Sequence, residues 1–413
     1  MNDSSHRSSA SAPSAGAYVA FRLIVSLVLM TVGTVGMYVG IVGLKPIAAE
    51  FGISRGVGSL PYALFMLGYG FGNVLHGRLA DRYGILVPLL IGSLALPAGL
   101  ILSAQTGSLW QFLAAIALLA GMLGSSAVFA PIVADVSLWF TGRRGLAVGF
   151  VLSGSYFAGA VWPPVLQYLI GEYGWRSAFT TVGYFCLATM VPLSLLLYRK
   201  PAYLAVAKGA PRDSRFARPL GLAPNALQCG ICLAGIGCCV GMSMPQVHIV
   251  AHATDLGFSA QRGAEMLSLM LGCGIISRLV SGWISDRIGG LRTLLMGSGL
   301  QGLLLAAFIP ADSLSALYIV SACFGLSQGG IVPSYAIIVR NYFPAGEAGW
   351  RIGTALFFTL FGMALGGWLA GFLYDVTGSY TVSFINALAF NAMNFLVVAF
   401  LLTRARQYGA ATR

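Results

Sequence analysis

The sequence predicts an all-α integral membrane protein with 12 transmembrane helices arranged as two parallel six-helix bundles, and three observations lead there. Of its 413 residues, 57% are hydrophobic and only 9% charged, with a mean hydropathy of +0.83. A soluble domain carries about a quarter charged residues. Apolar runs of about 18 residues or more recur along the whole chain, each long enough to cross a bilayer as a helix. A charged turn also occurs twice, as Gly77-Arg78-Leu79-Ala80-Asp81-Arg82-Tyr83-Gly84 and as Gly282-Trp283-Ile284-Ser285-Asp286-Arg287-Ile288-Gly289. Its shared glycines, aspartate and arginine recur 205 residues later. A turn repeated at half the chain length between apolar runs marks two similar bundles in tandem. The alternating strands of a membrane β-barrel are absent.

The spans are expected at 18–45, 58–77, 85–104, 109–139, 145–170, 176–198, 222–252, 263–284, 292–310, 315–340, 352–374 and 381–402. The first follows a Ser/Ala-rich stretch and is too long for a signal-peptide core, so it is expected to stay in the protein. Spans 2 and 8 end at the repeated turn. Spans 4 and 10 end at the aromatic pairs Trp139-Phe140 and Tyr342-Phe343, each followed by a short polar turn that opens the next span. Gly149 is echoed by Gly353 and Gly174 by Gly378, which extends the repeat through spans 5 and 11. The expected organisation is a disordered tail (1–17), a first bundle (18–198), a basic loop (199–221), a second bundle (222–403) and a second tail (404–413). Pro131, Pro163-Pro164, Pro245 and Pro333 are expected to kink helices around a central pocket.

The net charge of +12 does not point to nucleic acid, because the cations sit in short loops between spans. An even span count puts both termini on one side. Arg78, Arg82, Arg143, Arg144, Arg287, Arg292, Arg351 and the cations of 199–221 fall on that side, against Lys45, Arg55, Arg176 and Arg262 on the other. The positive-inside rule makes the terminal side cytoplasmic, in a cell membrane read as a bacterial inner membrane. Cys229 and Cys232 form a CxxC with no partner pair, which reads as helix packing. No nucleophile–base or metal constellation is apparent, so neither an enzyme nor a cofactor is expected.

Ionisable groups inside spans cost at least ~2.5 kcal/mol on insertion scales, so each calls for a role. Arg278 lies inside span 8 with no acid nearby in that span. Facing a cavity it would grip a carboxylate bidentately; facing a neighbour it would be a structural pair. Asp135 and Arg340 lie near the same ends of spans 4 and 10, where a pair across the midline would form a gate. Arg22 in span 1 is a topology anchor or a second partner for Asp135. His248 and His252 share one helical face, and His248 is the candidate proton carrier or a structural hydrogen-bonding group. Tyr335, Tyr156, Asn73, Gln246 and Thr359 are the polar candidates for the pocket wall.

These residues resemble the major facilitator superfamily, whose signature is the Gly-x-Leu-Ala-Asp-Arg-x-Gly turn after span 2 and its echo after span 8. The resemblance covers essentially the whole chain outside the tails. It implies the major facilitator fold, with Asp81, Arg82, Asp286 and Arg287 locking one face by capping a helix of the opposite half. Within that superfamily, Trp139-Phe140-Thr141-Gly142-Arg143-Arg144-Gly145-Leu146-Ala147-Val148-Gly149 resembles the entry to span 5 in the monocarboxylate and oxalate/formate transporters. In that group Arg278 holds the position of a substrate-binding arginine, and Lys45 that of a functional lysine, although here it reads Lys45-Pro46 rather than Pro-Lys. Arg143 and Arg144 join the gating set. The resemblance implies a secondary transporter of a small carboxylate by alternating access, a monocarboxylate moved with a proton, working in the lipid bilayer as a monomer. Efflux of lipophilic drugs by proton antiport and anion exchange without protons are the alternatives. Span 8 lacks the aspartate that animal monocarboxylate transporters carry before the arginine, and span 11 lacks the second cation of the oxalate exchanger.

Overall fold

The computed structural model describes residues 15–139, 144–198 and 219–411. They form sixteen α-helices, with no strand among the described residues. In chain order these are α1 (Ala15–Gly33), α2 (Gly36–Val42), α3 (Leu44–Phe51), α4 (Arg55–Gly58), α5 (Leu60–Tyr83), α6 (Leu86–Gln105), α7 (Leu109–Ala114), α8 (Ala130–Trp139) and α9 (Arg144–Leu195). Then come α10 (Pro224–Asp255), α11 (Ala260–Ile288), α12 (Gly290–Phe308), α13 (Leu314–Gln328), α14 (Ile331–Tyr342), α15 (Ala345–Thr377) and α16 (Tyr380–Ala411).

Ten segments among the described residues are long and apolar enough to cross a membrane. The sequence predicted twelve, and two local facts bear on the difference. The 52-residue α9 contains Gly174 at φ 77°, ψ 159°, a backbone conformation that favours glycine and breaks the helix between expected spans 5 and 6. The 24-residue α5 is long enough to span, but it falls outside the ten. Asn73, His76, three tyrosines and several glycines dilute its hydropathy.

Packing is pseudo-symmetric. In the first half α1 and α6 lie on α9, and α5 lies on the segment after α7. In the second half α10 lies between α15 and α16, and α11 lies on α13. The halves meet where α9 packs on α11 and α5 on α15. Large apolar side chains such as Trp110, Leu303 and Leu396 are exposed, as expected of surfaces facing lipid rather than water.

Both halves contain a broken helix at matching places. After α7 the chain passes through a π-helical run (Ala115–Gly124) and a 3₁₀ turn (Ser125–Val128) before α8 begins. In the second half Gly329 and Gly330 separate α13 from α14. Interrupted helices at corresponding positions frame the solute site in repeat-built transporters.

Candidate functional site

Arg278 and Tyr156 are brought together across the seam between the halves. The Arg278 guanidinium carbon lies 4.5 Å from the Tyr156 ring centroid. Its Nη1 donates to the Leu152 carbonyl at 3.2 Å. Its Nε is buried and has no hydrogen-bond partner. Gly274, one turn earlier on α11, leaves room for the Tyr156 ring, which a Cβ there would meet. No carboxylate pairs with Arg278 among the described residues. A guanidinium left with donor capacity beside an aromatic face suits an incoming anion.

The other pocket candidates hydrogen-bond to partners other than Arg278. Gln246 Nε2 donates to Gln328 Oε1 at 2.7 Å, with both side chains buried where α13 ends. Asn73 bonds to the Tyr69 carbonyl and to the Ala130 backbone N–H, not to Arg278. Tyr335 is fully buried and donates to Asn394 Oδ1 at 3.2 Å, tying α14 to α16. Thr359 bonds to the Leu356 carbonyl and packs its methyl against Gly235 of α10.

Lys45 is part of a closed end. Its Nζ lies 2.6 Å from Asp255 Oδ1, at the end of α10. Arg55 Nη1 bonds to Asp255 Oδ2, and Arg55 Nη2 lies 3.3 Å from Oδ1. The Arg55 guanidinium also sits 3.8 Å from the Tyr374 ring centroid and donates to Tyr380 Oη at 3.1 Å. Burial alone would lower the pKa of Arg55, but its bonds to Asp255 and Tyr380 raise it. Asp375 completes the closure, its carboxylate accepting from the Arg55 and Gly56 backbone N–H groups at 2.8 and 2.6 Å. Every one of these contacts joins the first half to the second. Sequence reasoning missed Arg55, Asp255, Asp375 and Tyr380 as a group; the pairing of a loop cation with an acid about 200 residues away leaves no local signal.

His248 joins this network. Its Nε2 lies 2.8 Å from the Gly367 carbonyl and its Nδ1 2.9 Å from Tyr380 Oη. A carbonyl only accepts, so Nε2 carries the proton and Nδ1 accepts from the tyrosine hydroxyl.

At the opposite end no ion pair joins the halves among the described residues. Asp81, Arg82, Asp286, Arg287 and Arg340 are all exposed. Neither aspartate hydrogen-bonds to or ion-pairs with a described residue in this conformation, while Arg82 and Arg287 lie over their neighbours Tyr83 and Trp283. Asp135 does not reach Arg340. It is held bidentately by Arg22, with Nε–Oδ2 and Nη2–Oδ1 both 2.8 Å, and both residues are buried. The expected cross-midline pair is therefore replaced by a pair within the first half, because α1 runs beside α8 and Arg22 also reaches the Leu197 carbonyl. Arg143 and the side chain of Arg144 lie outside the described residues.

The sequence profile of the Major Facilitator Superfamily matches residues 24–314 and 229–412. Monocarboxylate transporter 13 of Bos taurus is 30% identical over 324 residues, covering 78% of this chain and 74% of its own. The MFS-type transporter opdF of Penicillium oxalicum is 29% identical over 355 residues, covering 82% and 79%. Among solved structures, a bacterial homologue of the human lysosomal transporter Spinster, inward-facing and occupied, superposes with a TM-score of 0.69 at 16% identity over 94% of this chain and 97% of that one.

Proposed function

The chain belongs to the Major Facilitator Superfamily as a secondary-active transporter of small solutes, and on that premise we propose that it carries a small monocarboxylate across the membrane with a proton. The observation that carries this is Arg278, a permanent cation at the seam with an aromatic neighbour, a buried unpartnered Nε and no compensating acid among the described residues. One free cation suits one carboxylate. The likeness to proteins named monocarboxylate transporters supports the same solute class.

The chain crosses the membrane twelve times, as two six-helix bundles (18–198 and 222–403). The ten apolar segments support this once α9 is divided at Gly174 and α5 is included. Both termini are cytoplasmic by the distribution of cations, which makes the Asp255 end the outer one. The conformation is then inward-facing: the outer lock of Lys45, Arg55, Asp255 and Asp375 is made, and Asp81 and Asp286 are unengaged. Transport exchanges one latch for the other around Arg278.

His248 is the proton-coupling candidate. A proton arriving at Nδ1 would end its role as acceptor for Tyr380 and place a positive charge beside Arg55, which weakens the outer lock. The purified protein should be screened for thermal stabilisation by a panel of monocarboxylates, dicarboxylates and uncharged lipophilic compounds, since a bound ligand raises apparent stability. Stabilisation by monocarboxylates, absent in Arg278→Ala, is the expected result. Stabilisation by the lipophilic compounds alone would replace this reading with drug efflux.

A further inference from the structure

We propose that Asn73 and His76 are positioning residues that fix the bend of span 4, and through it the placement of the buried Asp135–Arg22 pair. Span 4 is the segment running from α7 through the π-helical run and the 3₁₀ turn into α8. At its break the regular helical bonds lapse. Gly124 takes φ −87°, ψ −88°, outside the helical region, and Phe129 φ −99°, ψ −77°, at its distorted edge. Polar backbone groups freed in a membrane interior must find partners inside the protein.

Two side chains of α5, three residues apart and so on one helical face, supply those partners from either side of the break. His76 Nε2 lies 3.1 Å from the Leu123 carbonyl, just before it. Leu123 O can only accept, so Nε2 carries the proton and donates. Asn73 Oδ1 accepts from the Ala130 backbone N–H at 3.3 Å, the first residue of α8. His76 is fully buried. Gly72, on the same stretch, lets the two backbones approach: a Cβ there would strike the Met122 carbonyl.

The second half shows the same device with different residues. Positions 205 later than Gly72, Asn73 and His76 are Ser277, Arg278 and Ser281. Ser277 Oγ accepts from the Gly329 backbone N–H at 3.1 Å, at the break between α13 and α14. A Cβ on Gly330 would meet Ser281. The broken helix of each half is thus held by the same stretch of its neighbour. In the second half Ser277 takes over the clamp, which leaves Arg278 free to turn toward α9. In the first half the position equivalent to Arg278 is itself part of the clamp.

The test measures the bend without reference to the solute carried. Nitroxide labels at Trp110→Cys and Ala134→Cys, in a cysteine-free background in nanodiscs, report the distance across the break by pulsed electron resonance. His76→Leu and Asn73→Leu each remove one clamp bond and should shift or broaden that distance. His76→Gln keeps a donor and Asn73→Asp an acceptor, and both should restore the parental distribution. Monodisperse elution of the rescued variants guards against misfolding. Identical distributions in all five proteins would overturn the proposal, as would glutamine and aspartate variants that behave like the leucine ones.

Discussion

Replacing Asp255 by Asn should open the end of the bundle that the structure shows closed. The Asp255 carboxylate holds two cations from the first half. Lys45 is 36% exposed on its side chain, so its pair contributes only about 0.5 to 1 kcal/mol. Arg55 is 15% exposed, and its charge-assisted bond contributes about 1.5 to 2 kcal/mol. Asn keeps the shape and loses the charge, so the closed state loses about 2 to 3 kcal/mol relative to the open one. Each 1.4 kcal/mol is tenfold, so the open population rises by about 30- to 150-fold. Ser59 reports this directly. It is fully buried where the start of α5 meets Gly371 of α15, and becomes reachable only when the halves part. In a cysteine-free background, the labelling rate of Ser59→Cys by a membrane-impermeant maleimide should follow the open population. Asp255→Asn should raise that rate by the stated factor and Asp255→Glu by less. A change below about threefold would refute the assignment of these ion pairs as the lock.

Asp375→Ala removes a helix cap worth about 1 kcal/mol and should raise the same labelling rate by about fivefold. Arg22→Leu or Asp135→Leu alone leaves a buried charge without its partner, a loss of about 3 to 5 kcal/mol. Each should lower the unfolding temperature in detergent, while the double variant recovers most of it. Glu50, outside the spans, bonds Arg176 and Trp175, and the hydrogen bond from Arg176 holds its carboxyl below the usual glutamate range. That stabilisation is present above the usual range and is lost as pH falls through the lowered value. Glu50→Gln should therefore lower the unfolding temperature at neutral pH, leave it nearly unchanged at acid pH, and so flatten the acid limb of a thermal-stability profile.

The duplication was legible because local patterns carry it. The two Asp-Arg turns and the aromatic pairs Trp139-Phe140 and Tyr342-Phe343 each lie within a short window of sequence. Arg278 was legible for the same reason, as a charge in an otherwise apolar run, and its contact with Tyr156 follows from α9 packing on α11. Partner choice was not legible. Whether Asp135 meets Arg22 or Arg340 depends on which helix lies beside α8, and no window containing Asp135 encodes that. Lys45 read as a solute contact through the family resemblance alone, yet Asp255 lies 2.6 Å away in space. The burial of His76 was not legible either: it lies against the break in span 4, whose π-helical and 3₁₀ turns leave no mark in an apolar run of Ala, Leu and Gly.

The central claim is that Arg278 binds the carboxylate of the transported solute. The direct measurement is initial uptake, in proteoliposomes, of the monocarboxylate that most stabilises the parental protein, for Arg278→Ala and Arg278→Lys at matched reconstitution. The account predicts loss of saturable uptake in Arg278→Ala, with weak uptake at best in Arg278→Lys, because an ammonium cannot reproduce the bidentate grip. Saturable uptake by Arg278→Ala at the parental rate and apparent affinity would contradict it.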